Sequence, residues 1–442
     1  MDAPSQFPID NLPPELLVDI FRCCHRPPPS ETKVRDEPHP DMFTTPEGAR
    51  TRGRNTLKNI ALVSKKWRAL ALPVLFRHVI WCVDSWFSLF SIDVKYLSTP
   101  DRAFPILCFI RKNHLATYVE SLTILVRHQP RPLADDNPGV PAPFWDIVFG
   151  LLDPLRLTLL GSPHSLTSMV SKMLFDHGDL PANPYGKPPF HILSLERKTR
   201  SPNSPSAQRF RDNLGRRIQT VSDTSAARDS GGSRPQPTTR LPSHVFTIRP
   251  WSHLLLNEGS SIRIYRNYEY FLRRPPSILG HLLGCEEAPN DQPLIPATVK
   301  SLSYIAIFPL ASHFSTLVDH LPVLDRLYVQ LVPQNDIMLD PEEMSHVQPS
   351  DLWMERNSCY GHIMRQMLFQ EHDEASGSGG EEQWINPDHE PGNWRFLREF
   401  ESGDSADREA WELAVGIVYE SGSNWRVKRD GVFVKGYSSA AT

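Results

Sequence analysis

Apolar and polar positions alternate along this chain with two periods. Near the start, Leu16, Leu17, Ile20 and Phe21 recur at one- and four-residue offsets and line one face of a helix. Pro13 and Pro14 suit a first turn, where the amide has no partner, and Glu15 suits the positive end of the helix dipole. A second stripe, Leu57, Ile60, Ala61, Ser64, Trp67 and Ala71, predicts another amphipathic helix that Pro73 ends. Both are too short to be stable alone and must pack together or on a partner. Further on the period shortens. Ser121–Val126, His191–Leu195 and Ser301–Ile307 have the alternation or β-branched content of buried strands. The apolar stretch from Phe144 to Leu160 reads as buried helix.

Leu321, Leu324, Leu327, Val329 and Leu331 follow the spacing of a leucine-rich repeat, and Leu327 falls 25 residues after Leu302, inside the repeat range. The earlier strands do not keep that step, so a repeat array and a non-repetitive α/β domain with the same strands both fit. Trp353, Met354, Tyr360, Ile363, Met364 and Met367 recur at helical spacing and read as a core face rather than a ligand groove. Trp411–Tyr419 is helix or strand; its period does not decide. Asp430-Gly431 between two β-rich runs predicts a closing hairpin, with Arg429 facing Val432 and Val427 facing Val434.

The first two helices carry more than a period. Leu12-Pro13-Pro14-Glu15-Leu16-Leu17, then Ile20-Phe21, and later Leu62-Val63-Ser64-Lys65-Lys66-Trp67-Arg68 resemble the F-box, the helical module that docks substrate receptors onto the Skp-type adaptor of a cullin-RING ubiquitin ligase. The likeness runs on through Leu72–Val79 in the manner of fungal members. Arg249–Leu254, Asn257–Ser261, Tyr268–Leu272 and Asp351–Asn357 also look like stretches of fungal F-box proteins, which often carry degenerate leucine-rich repeats. The resemblance implies that Leu12, Pro13, Pro14, Leu16, Leu17, Ile20, Phe21, Leu62, Val63, Trp67 and Arg68 meet the adaptor. It implies a non-catalytic substrate-recognition subunit that holds an unknown protein substrate near the transferred ubiquitin, in the cytoplasm or nucleus. A scaffold that binds the adaptor without the cullin is the alternative. One departure stands out. Family members join their first helices through a few residues, whereas residues 26–55 here form a long insert rich in proline and charge, expected to be disordered.

Composition divides the rest. The 442 residues allow two or three domains, and 42 of them are proline. Arg197–Arg240 holds ten Lys or Arg against three Asp among Ser, Pro and Gly, and reads as a disordered linker over 197–243 in which Ser201 and Ser204 precede prolines. A second, acidic Gly/Ser linker spans 371–383. The expected plan is therefore an F-box over 8–80, a mixed α/β repeat-like body over 81–196 and 244–370, and a C-terminal segment over 384–442. A net charge of −4 argues against a nucleic-acid or membrane surface. The mixture of Arg263, Arg266, Arg273 and Arg274 with Tyr265, Tyr268, Tyr270 and Phe271 keeps a nucleic-acid-binding regulator as the weaker rival; an amphipathic helix exposing arginine and burying aromatics is preferred.

The chemistry-bearing residues form no catalytic motif, phosphate loop or dinucleotide fingerprint. Six cysteines show no paired spacing and read as reduced thiols. Cys23, Cys24 and His25 lack the second cluster that a zinc site needs, so no metal and no cofactor are expected. Residues 1–11 have neither the basic start nor the apolar core of a signal peptide.

Overall fold

The structure, a computed structural model, describes residues 9, 12–25, 27–43, 56–85, 104–128, 143–170, 189–200, 244–273, 275–285, 292–369 and 392–436. The chain opens with α1 (Pro14–Cys23), a single turn α2 (Pro29–Thr32), α3 (Thr56–Val63) and α4 (Lys65–Leu75). Where the stripe from Leu57 predicted one helix, Ser64 splits it in two. Its backbone is extended, and its hydroxyl accepts the Trp67 N–H at 3.1 Å, capping α4. Nor does Pro73 end the helix. It lies inside α4, one turn from the end, where its missing donor forfeits a single bond.

Beyond the helices lies one sheet of ten strands: β1 (His78–Ser85), β2 (Ser121–His128), β3 (Arg156–Gly161), β4 (His191–Glu196), β5 (His253–Ser260), β6 (Ser301–Ile307), β7 (Arg326–Gln330), β8 (Glu399–Ser402), β9 (Trp425–Arg429) and β10 (Val432–Lys435). The strands stand side by side in chain order, except that β10 lies between β8 and β9. Pairing is parallel apart from β4, antiparallel to both neighbours, and β10, antiparallel to β8 and β9. Parallel neighbours require crossovers, and helices supply them: α5 (Pro105–Lys112), α6 (Pro143–Leu151), α8 (Leu279–Leu283), α9 (Ala311–Asp319) and α10 (Pro349–Phe369); α7 (Pro163–Val170) joins the antiparallel β3 and β4, and α11 (Arg408–Glu420) leads from β8 to β9. No helix among the described residues is long and apolar enough to cross a membrane.

Register gives the sheet a repeating logic. Val79, Leu122, Leu157, Leu195, Leu254, Leu302, Leu327 and Phe400 pair in succession, one per strand, and all are buried. The turns repeat as well. The carbonyls of Arg77, Glu120, Ser252, Lys300 and Asp325 each accept two consecutive amides from the start of a neighbouring strand. Leu107, Val148, Leu166, Leu282, Phe314 and Ile363 of the helices pack on the face that carries the ladder. Within this core Trp145, Trp251, Trp394 and Trp425 each donate an indole N–H to a backbone carbonyl, so these four indole donors are all satisfied.

Side chains alternate across a strand, so a second set faces the other way. Leu125, Leu160, Ile192, Leu255, Ile305 and Tyr328 form a separate cluster with Phe43 of the insert. Here the sequence expectation fails. Residues 27–43 are not a disordered loop but an ordered, turn-rich segment lying on this second face, with Pro28, Ser30, Pro38 and Phe43 buried. The rest of the insert, 44–55, lies outside the described residues.

Other boundaries move too. The apolar stretch 144–160 is α6 followed by β3, because Asp153-Pro154 interrupts the helix and Leu157–Leu160 suits a strand buried on both faces. Residues 197–200 belong to the body: Arg197 binds Asp153 at 2.5 Å and Arg200 donates to the Val119 carbonyl at 2.6 Å. Arg249 binds the same Asp153 at 2.7 Å. The remainder of that expected linker, Ser201 and Ser204 included, and the linker 371–383 lie outside the described residues. The C-terminal stretch continues the same sheet through β8–β10 instead of standing apart. Trp411–Tyr419 lies in α11, which starts at an Asp407 side-chain cap on the Ala410 amide. In the hairpin Val432 faces Arg429, but an irregularity after Val432 sets Val427 against Phe433 and Arg426 against Val434.

Candidate functional site

The first three longer helices form a small unit with its own core. Leu17, Phe21, Leu57, Ala61, Ala71 and Val74 bury one another, and Leu12, Ile60 and Trp67 pack at the margin. The Phe21 and Trp67 rings lie 5.5 Å apart. A unit this small gains most of its stability from such packing, so the residues left outside the core are informative.

Of the residues that the sequence singles out, the structure separates two groups. Leu17 and Phe21 are fully buried within the unit, so they set the shape of its surface and are not themselves part of it. Trp67 is half-buried, and so is Leu12. Leu16 and Ile20 are 50% and 40% exposed, one turn apart on α1, while Leu62 and Val63 are 77% and 62% exposed at the end of α3. Pro13, Pro14 and Arg68 are exposed as well. Apolar side chains held this open on a folded helical unit are groups that a partner groove can cover.

The remaining candidates resolve into structural roles. Glu258, Tyr304 and His313 meet in the core. The Glu258 carboxylate accepts from the Tyr304 hydroxyl at 2.6 Å and from Ser277, and lies 3.0 Å from His313 Nε2. Burial pushes its pKa up, but the His313 charge and hydrogen bond, with His191 and Ser277, outweigh that and hold it down to about 2. With Glu258 and His313 less than a tenth exposed, this cluster ties β5, β6 and α9 together and offers a substrate no approach. The arginine–tyrosine stretch is not an amphipathic helix but short 3-10 turns. Arg263 and Arg266 are engaged by Glu343, Tyr265 is buried, and Tyr268 and Phe271 are exposed. The expected face is thus kept only at Tyr265, and two of its cations are already paired. Cys23 and Cys24 are exposed and the His25 ring lies tilted against His78, centroids 4.8 Å apart; among the described residues no group of three or more His, Cys, Asp or Glu could hold a metal. On α10, Ile363 and Met367 are buried as a core face requires, whereas Met354 is exposed.

Sequence reasoning passed over the second face of the sheet. Its polar row pairs His78 with Ser121 at 2.8 Å, Arg156 with Glu196 at 2.7 Å, His253 with Ser301 at 3.0 Å and Arg326 with Glu399 at 3.0 Å, in consecutive register. The available signal was the pair Met42-Phe43, the one apolar doublet in a polar insert. Comparisons with models of protein families, with curated proteins and with solved structures found no match for this chain.

Proposed function

We propose that this protein is the substrate-recognition subunit of an SCF-type ubiquitin ligase, in which the N-terminal helices dock a Skp-type adaptor and the sheet body holds a protein substrate. One observation carries the reading. The helices complete their own core yet keep Leu16, Ile20, Leu62 and Val63 in solvent, at positions of the F-box-like motif. One repeat-like pair in the body supports the same reading: the 25-residue step joins Leu302 and Leu327, which are register partners on adjacent strands. Such a subunit would work by proximity, leaving bond making to the conjugating enzyme, and would act in the cytoplasm or nucleus.

The test is capture of a purified Skp-type adaptor by the full chain. Leu16→Asp combined with Leu62→Asp should weaken capture by about a hundredfold or more, since buried apolar anchors dominate helix-in-groove contacts. Both positions are exposed, so the variant should keep the wild-type thermal midpoint. Undiminished capture by the double variant, or none by the wild type, would overturn the reading.

A further inference from the structure

The second face of the sheet is occupied by a piece of the same chain, and the manner of its occupation is specific. Asn257 is 1% exposed and sits between two apolar register partners, Ile192 and Ile305. Its amide donates both hydrogens to the insert's backbone, at 2.9 Å to the Val34 carbonyl and 2.8 Å to the Asp36 carbonyl. Its own oxygen accepts the Gly259 amide at 2.9 Å, which fixes the amide's orientation. The Glu37 carboxylate takes the Ser260 N–H at 3.0 Å. Arg35 lies over the Tyr328 ring at 4.1 Å from its centroid, and Glu31 lies 3.5 Å from Arg156. Phe43 completes the set in the apolar cluster.

The backbone beneath is shaped for this approach. β5 shifts register between Asn257 and Ser260, and Gly259 there has φ +71°. A Cβ at Gly259 would lie 2.9 Å from the Glu37 carboxylate and 3.0 Å from Pro38. Only glycine lets the segment come this close.

A buried amide that spends both donors on carbonyls reads main chain rather than side chains, and every peptide has that main chain. The segment itself has one helical turn and no periodic pattern, so what holds it is this set of contacts and not its own structure. We propose that the second face is a binding site for a peptide segment, and that residues 27–43 are its intramolecular occupant. The partner it fits is a protein segment that follows the same turn-rich path with this chemistry: a carboxylate for the Ser260 amide, a cation for Tyr328 two residues earlier, and an aromatic six residues after the carboxylate. Such a segment binds by displacing 27–43, and its affinity is lowered by the fraction of time the face is covered. The proposal concerns the sheet alone and stands apart from any adaptor docking by the helices.

The test uses the full chain and a fluorescent synthetic peptide of residues 27–43 as the probe. In Arg35→Ala/Glu37→Ala/Phe43→Ala the internal segment loses its side-chain anchors while the face is intact. The probe should bind this variant at least about tenfold more tightly than wild type, by removal of the internal competitor. Adding Asn257→Ala should abolish that gain. No binding to a variant that retains the wild-type melting transition, or binding indifferent to Asn257→Ala, overturns the proposal. Hydrogen exchange on the wild type gives a second readout that needs no variant. The amides of 27–43 should open at least about a hundredfold more readily than those of β5, as a displaceable element must. Equal protection of the two would show a fixed part of the core and would also overturn it.

Discussion

The two faces of one sheet are built by different rules. The first is a ladder of one apolar residue per strand from Val79 to Phe400, closed by amphipathic helices whose spacing repeats the same demand. The second mixes polar and apolar side chains within its rows and is covered by a segment without periodicity that docks through an amide, a carboxylate, a guanidinium and a phenylalanine. Where area alone does the work, many side chains share the task and no single partner is specified. On the second face a few directional contacts do it, and directional contacts can be exchanged for equivalent ones.

The sharpest way to probe this difference is to remove one side chain from each face. Leu254→Ala, in the centre of the ladder, should cost about 2–5 kcal/mol and lower the cooperative melting transition of the whole body. A local effect confined to β5 would mean that the first face is not one core.

Acidity should separate the faces next. Burial raises the Glu37 pKa from its ordinary 4.5 to about 7; the Ser260 amide and Arg263 pull it down and Glu343 pushes it up. The docked state therefore prefers the protonated acid. Its contribution is fully present below pH 4.5 and is lost as pH rises through 7. Complete burial would make this worth about 3 kcal/mol, and the partial exposure of this carboxylate reduces it. Hydrogen exchange of 27–43 should accordingly be slower at pH 5 than at pH 8 after correction for the intrinsic rate, and Glu37→Gln should flatten the difference. A profile unchanged by Glu37→Gln would remove the carboxylate from the account.

The smallest expected effect is at Tyr328. Arg35→Ala should release about 0.5–1 kcal/mol of segment docking, the scale of an exposed cation–π contact, and leave the global melt unchanged. Loss of global stability would place Arg35 in the structural core instead.

The helices show how far a local pattern reaches. The α1 stripe, the Asp430-Gly431 turn and the strands at Ser121, His191 and Ser301 were legible because each is dictated by neighbours within a few residues. Ser64 was misjudged for a local reason: its side chain could continue the stripe or cap a new helix, and the cap won. β3 was hidden in a run that reads equally as buried helix. Leu17 and Phe21 share the motif of Leu16 and Ile20, and only packing against Ala61, Ala71 and Val74 shows which pair is left to solvent.

By itself, then, the sequence determined periodic parts: the first helix, the strands at Ser121, His191 and Ser301, and the closing hairpin. The tertiary structure alone decided what lies on the other side of that sheet. Val34 and Asp36 meet Asn257 across more than two hundred residues of chain, through main-chain carbonyls that every residue carries. A contact made by backbone at such a separation leaves no period and no motif. It exists only because the strands of the sheet bring Arg156, Asn257, Ser260 and Tyr328 onto one surface.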